Sequence, residues 1–189
     1  CFKIKGRTAS VVVDPYEADF TGLKPLKLEA DIVCVTHSHQ DHNNTKAVKT
    51  EDAQDTFIIS GPGEFEKMVV NIVGVSSFHD NSQGQERGKN TIYNLSVDEV
   101  NIVHLGDLGQ KKLTQEQIEQ LSSCDVLLIP TGGTFTIEAK DAPDIIAQLE
   151  PKIVIPMHHG IAGLKFALEP VEKFLSAMGK EKLQSQNKL

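Results

Sequence analysis

An α+β fold, with two β-sheets flanked by helices, is the class that this 189-residue sequence predicts. Three observations carry that expectation. Short runs rich in Val and Ile recur through the first half of the chain. Helix signatures with their own start and stop residues alternate with such runs in the second half. His or Asp residues sit where many of the runs end. With strands first and mixed strand–helix units later, the helices are expected on the outer faces of the sheets.

The strand candidates follow from branched content and length. Phe2–Lys5, Ser10–Asp14, Asp31–Thr36, Phe57–Ser60 and Val69–Phe78 fill the first half. Thr91–Val97, Val100–Leu105, Val126–Pro130 and Lys152–Met157 fill the second, and the first two of these alternate around Asp98-Glu99 as a hairpin should. Three helices lie between or after them. "TQEQIEQLSS" has Thr114 and Gln117 in capping-box spacing, with Ile118 and Leu121 on one face. "DAPDIIAQLE" starts at Asp141 as N-cap, carries Pro143 in its first turn and stops before Pro151. "EPVEKFLSAMG" places Pro170 at its start and Gly179 just past its end. A shorter helix is expected after His42. Residues 79 to 90, "HDNSQGQERGKN", read as a long polar loop, and "EKLQSQNKL" at the end reads as a frayed tail.

The length suits one domain, residues 1–189, with a full hydrophobic core. Hydrophobic residues make up 39% and charged residues 24%, ordinary for a globular chain. A net charge of −7 argues against nucleic acid or an anionic membrane as partner. No apolar run approaches the ~20 residues that span a bilayer, and "FKIKGR" is no signal peptide. Cys1, Cys34 and Cys124 show no paired spacing, which suits a reducing cytoplasm, and Cys34 and Cys124 read as small core residues. Cys1 in place of Met reads as a start part-way into a longer chain.

The stretch "VTHSHQDHNN" is different in kind. His37, His39 and His42 are three of only seven histidines, and Asp41 stands among them. Buried imidazoles each need a hydrogen-bond partner, so a packed core has no use for such crowding. Residues two apart on an extended segment point the same way, which lets His37 and His39 share one ligand direction. Imidazole and carboxylate together are donors for zinc, manganese or iron. The other histidines, His79, His104, His158 and His159, each end or follow a strand candidate, in "SSFHD", "IVHLGD" and "IPMHHG". Ligands gathered at strand ends are how a rigid scaffold assembles a site.

"THSHQDH", then "FHD", "HLGD" and "IPMHHG" in that order, resembles the metallo-β-lactamase superfamily of metal-dependent hydrolases. "GPGEFE", "RGKNTIY", "HLGDLG" and "PTGGTFTIEAKDA" are similar to the branch that includes L-ascorbate-6-phosphate lactonase. The resemblance covers nearly the whole chain and implies a four-layer αββα sandwich with metals at one edge of the two sheets. It implies that His37, His39 and His79 hold one divalent ion, that Asp41, His42 and His158 hold another, and that Asp107 bridges them. His104 and His159 fall outside that ligand set and read as orienting or substrate-facing groups. Family chains begin with one more strand, expected here before residue 1. Gln40 stands where the diiron oxidoreductases of the superfamily carry Glu, which disfavours redox chemistry, and "FHD" lacks the Gly-His-Thr of true β-lactamases.

Two zinc or manganese ions sharing a hydroxide would cleave an ester, lactone or phosphodiester, with Asp41 and Asp107 as the catalytic carboxylates. A phosphodiesterase or nuclease of the same superfamily is the rival enzyme, and a non-catalytic metal-binding domain the rival class. The expected partner is a small anionic substrate; a homo-oligomer stays open. Arg87 and Lys89, shortly after His79, either bind the substrate's anion or are solvated loop charges. "TGGTFT", residues 131 to 136, either presents amides to an anion or is an ordinary glycine turn. With no Trp and few aromatic residues, a stacking-based sugar or base pocket is not indicated.

Overall fold

The computed structural model describes residues 1–50 and 56–180. The first half runs β1 (Phe2–Lys5), β2 (Ser10–Val13), α1 (Ala18–Thr21), β3 (Leu28–Glu29), β4 (Ile32–Val35), β5 (Val48–Lys49), β6 (Phe57–Ser60), β7 (Gly63–Lys67) and β8 (Val70–Phe78). The second runs β9 (Lys89–Val97), β10 (Val100–His104), α2 (Gln115–Leu121), β11 (Val126–Pro130), α3 (Ala142–Leu149), β12 (Ile153–Met157) and α4 (Val171–Ala177). Every strand candidate is present, and the tail from residue 181 lies outside the described residues.

Two sheets form the body. One has the order β1-β2-β4-β6 and the other β12-β11-β10-β9-β8-β7. Their facing sides pack Val11, Val13, Ile32, Cys34 and Ile59 against Ile72, Tyr93 and Leu95. Tyr93 clamps the sheets as well, its hydroxyl donating to Val35 O at 2.9 Å and accepting from Gly61 N–H at 3.0 Å. On the outer face of the six-stranded sheet, Val103, Leu105, Leu127 and Ile129 bury Leu121 of α2, Ala142 and Ile145 of α3 and Phe174 of α4. The outer face of the four-stranded sheet is covered differently. Val12, Val33 and Val35 pack on Leu28, Ala30 and Val48, from the ribbon in which β3 pairs with β5. The result is an α+β sandwich of two sheets, with helices on one outer face and the ribbon on the other.

Local expectations hold to differing degrees. Thr114 and Gln117 form a complete capping box, and Asp98 and Glu99 both take the positive φ of a tight hairpin turn. Asp141 occupies the N-cap of α3, but its carboxylate accepts from Glu138 N–H at 3.2 Å instead of capping the helix. The helix expected after His42 is a correction. His42 N–H closes a turn onto His39 O at 3.0 Å, and only a 3-10 turn follows at Thr45–Ala47. Asn44 explains why, because its N–H and side-chain amide go to Pro15 O and Tyr16 O and leave no helical ladder. The polar loop ends at Gly88, since Lys89 and Asn90 belong to β9.

Strand direction positions the site. β2, β4 and β6 run parallel, and in the other sheet β8, β10, β11 and β12 share one direction, antiparallel to β9. Asp14 leaves β2, His37 leaves β4, His79 leaves β8, Asp107 follows β10 and His158 leaves β12. All five emerge from C-terminal strand ends.

Candidate metal centre

Two donor groups assemble there. His37, His39 and His79 form one, and Asp41, His42, Asp107 and His158 form the other, with ligand atoms inside each group within 4.8 Å of one another. Asp107 Oδ2 stands at their junction, 3.3 Å from Nε2 of His79 and of His158, 3.4 Å from His42 Nε2 and 3.8 Å from His37 Nε2. Asp41 Oδ2 lies 3.5 Å from His42 Nε2. His39 is exposed, while His37, His42, His79 and Asp107 are buried.

Burial makes this arrangement hard to explain as a hydrogen-bonded core. Nε2 of His37, Nε2 of His42 and Oδ1 of Asp107 are buried and, among the described residues, have no hydrogen-bond partner. Unmatched buried polar atoms of this kind are costly. A divalent cation that takes nitrogen and oxygen donors resolves all three, so the residues present fit a metal.

A supporting layer holds the donors. His42 Nδ1 lies 2.9 Å from Asp14 Oδ2, and that carboxylate also accepts from Thr36 N–H at 2.8 Å and Thr36 Oγ1 at 2.7 Å. Thr36 Oγ1 in turn lies 2.9 Å from His37 Nδ1. Both Nε2 atoms are thereby turned toward Asp107, as metal-ligating imidazoles are oriented elsewhere. Asn90 supports the other sheet. It donates to Leu105 O at 2.9 Å, and its Oδ1 accepts Asp107 N–H at 3.0 Å. Glycines bring these segments together. A Cβ on Gly106 would collide with Asn90 Oδ1, and one on Gly132 with His158 O.

The charges follow from packing. Burial pushes the His37 pKa down to about 3, helped by the neighbouring His42 charge. Burial also opposes a proton on His42, yet Asp107 and Asp14 outweigh it and raise its pKa well above the ordinary imidazole value. Burial raises Asp14, but His42 wins and holds the carboxyl down at about 2.

The remaining sequence candidates divide. Arg87 and the donor residues Asp41, His39, His79 and Asp107 line one cleft, while His104 and His159 line a second that shares Asp41 and Asp107. His104 is buried and accepts Gly106 N–H at Nδ1 (3.0 Å), so it braces the turn to Asp107. Lys89 is exposed on β9 and lines neither cleft. The 131–136 turn spends the amides of Thr131, Phe135 and Thr136 on backbone carbonyls, and Thr134 O accepts from Arg87. Missed altogether were Asp14, Thr36 and Asn90, although "VVVDP" shows a strand ending in Asp as the site strands do. Aromatic residues were also underestimated, because Phe20, Phe135 and Phe166 gather in the Arg87 cleft.

Known proteins resemble this chain in sequence and fold. The family described as Beta-lactamase superfamily domain matches residues 1–158. A UPF0173 metal-dependent hydrolase of Thermococcus onnurineus is 31% identical over 183 residues, covering 84% of this chain and 80% of its own. A Thermotoga maritima structure, described as a candidate Zn-dependent hydrolase of the metallo-beta-lactamase superfamily, superposes with a TM-score of 0.75 at 35% identity. It covers 93% of this chain and 80% of that one. Igni18, a metallo hydrolase of Ignicoccus hospitalis, shares the fold at a TM-score of 0.66 and 20% identity, covering 98% and 90% of the two chains. With its donors at the C-terminal strand ends of a two-sheet sandwich, the chain belongs to the metallo-β-lactamase superfamily and, within it, to the UPF0173 metal-dependent hydrolases.

Proposed function

We propose that this protein hydrolyses an ester, lactone or phosphodiester bond in a small anionic substrate at a two-metal site. The observation that carries the reading is Asp107 Oδ2, within 3.3 to 3.8 Å of four imidazole nitrogens. His37, His39 and His79 would hold one ion, Asp41, His42 and His158 the other, with Asp107 between them. Zinc or manganese suits the donors. Such a pair, when bound, supplies Lewis acidity and makes water a nucleophile near neutral pH.

The chain's own residues supply the rest. Asp41 is half-buried where the two clefts meet, placed to accept a hydrogen bond from the attacking water and orient it. Asp14 and Thr36 fix the His42 and His37 rings, and Asn90 fixes the Asp107 backbone. Arg87 lines one cleft together with the donors and would take the substrate's anionic group, while His159 lines the other. A lactone is favoured within this class by the motifs that resemble the ascorbate-6-phosphate lactonase branch.

The deciding experiment measures metal content and turnover on one metal-loaded sample against chromogenic lactones, esters and phosphodiesters. About two ions per chain with lactone or ester turnover is expected. Turnover of phosphodiesters alone would make the protein a phosphodiesterase or nuclease. Bound metal without turnover of any of them would make it a metal-binding domain, and no metal after reconstitution would remove the mechanism.

A further inference from the structure

The two clefts meet at Asp41, Asp107 and Phe166, so a bond placed over Asp107 has one fragment in each. The lobe beside His39 has a composition that catalysis does not require. Phe20 comes from α1, Phe135 from the 131–136 turn and Phe166 from the segment after β12. Their rings converge nonetheless, with Phe166 5.9 Å from Phe20 and 6.1 Å from Phe135. Among the described residues, none of the three belongs to a core cluster. Phe20 is 43% and Phe135 37% exposed, so their faces meet solvent instead of packing the interior.

Arg87 completes the lobe and is held in place. Its guanidinium lies 5.8 Å from the Phe135 ring centre and donates to Thr134 O at 3.2 Å. Its nearest acidic group, Glu86, is 4.0 Å away and mostly in solvent, which leaves the charge largely uncompensated. The loop behind it is fixed by Asp80, whose buried carboxylate accepts four backbone N–H groups, from Ser82, Gly84, Glu86 and Arg87. The lobe encloses about 430 Å³, room for a small ring system.

We propose that this lobe recognises a flat, apolar group carrying a negative charge, its ring against Phe135, Phe20 and Phe166 and its anion on Arg87. The substrate is then an ester, lactone or phosphodiester with such a group on one side of the scissile bond, an assignment that rests on the hydrolase reading above. Aromatic faces take a flat apolar ring by area and edge contact, and an arginine already stacked on one of them keeps its free donors for the anion.

The test uses the metal-loaded full chain and three probes, 2-naphthoate, 2-naphthol and acetate, with binding followed by calorimetry. Naphthoate is expected to bind at least about tenfold tighter than either naphthol or acetate, the scale of one charge-assisted contact or one buried ring. Arg87→Ala should erase the preference over naphthol. Phe135→Ala, and Phe20→Ala as an independent variant, should weaken naphthoate and naphthol alike, leaving acetate unchanged. Equal binding of naphthoate and acetate would mean a carboxylate on the metal alone and would overturn the proposal. So would a naphthoate preference that survives Arg87→Ala, or phenylalanine variants without effect. Discriminating binding in a protein that turns over no ester, lactone or phosphodiester keeps the lobe and discards the hydrolase; turnover without discrimination does the reverse.

Discussion

At the residue scale, Asp14 shows how much of the site lies behind the donors. Among the described residues, the hydrogen-bond partners of its carboxylate are His42 and Thr36, so neutralising it acts through ring orientation. We predict that Asp14→Asn weakens metal binding by about 10- to 100-fold, read by competition with a chelator; an unchanged affinity would show that the ring needs no such support. Asp41→Ala is predicted to abolish turnover in a protein with unchanged circular dichroism, and activity within a few-fold of the parent would remove the water-orienting role. Proton linkage gives a third expectation. Asp107 and Asp14 overcome burial to keep a proton on His42 in the metal-free protein, and a metal at Nε2 must displace it. The metal-free state therefore binds the extra proton, and affinity should rise about tenfold per pH unit until the pH passes the raised pKa. Calorimetry in two buffers of different ionisation enthalpy measures this directly, and no proton release near pH 7 would contradict it. The cluster of His37, His39, Asp41 and His42 was legible because its His-x-His-x-Asp-His spacing is local, whereas His79, Asp107 and His158 were placed beside it by the family resemblance alone. Asp14 and Asn90 were not legible, since each acts on a residue that only tertiary structure brings near: Asp14 on His42, 28 positions on, and Asn90 on Asp107, 17 positions on. Thr36 adjoins His37, but its hydroxyl is set by Asp14, 22 positions before it.

At the element scale, branched runs and caps made the strands and the three longer helices readable. What escaped was short or on an edge. β3 and β5 have two residues each, α1 has four, and β7 is a largely exposed edge strand, "GEFEK", with no apolar alternation to reveal it. The loop after His79 reads in sequence as no more than long and polar, but Asp80 pins it from within. Strand exits are equally tight. His158 holds a positive φ of 50°, and its carbonyl occupies the space where a Gly132 side chain would be. Gly132→Ala should therefore push the β12 exit away from Asp107, destabilising the metal-free fold by about 1–3 kcal/mol and lowering metal affinity. Thermal unfolding and chelator competition read the two effects, and a fully tolerated alanine would show that this exit can relax.

At the scale of the whole molecule, each donor group draws on both sheets. His37 and His39 follow β4 in the four-stranded sheet while His79 follows β8 in the other; Asp41 and His42 likewise face Asp107 and His158. Metal binds the folded arrangement alone, so at an ion concentration about 100 times Kd the fold should gain ~2.7 kcal/mol, roughly 5–10 °C in Tm. Calorimetry with and without a chelator checks it, and a Tm indifferent to metal would mean that the ions are not gripped by both sheets at once. The same arrangement has a mechanical meaning. With metal bound, the sandwich would be riveted at the rim of its strand exits, while the far rim, at the Asp98–Glu99 hairpin, is joined by the Arg7 N–H to Asp98 hydrogen bond of 2.8 Å. Under a shearing load between its sheets, the loaded molecule should gape from the hairpin rim and pivot about the ions, whereas the stripped molecule would slide apart as two plates.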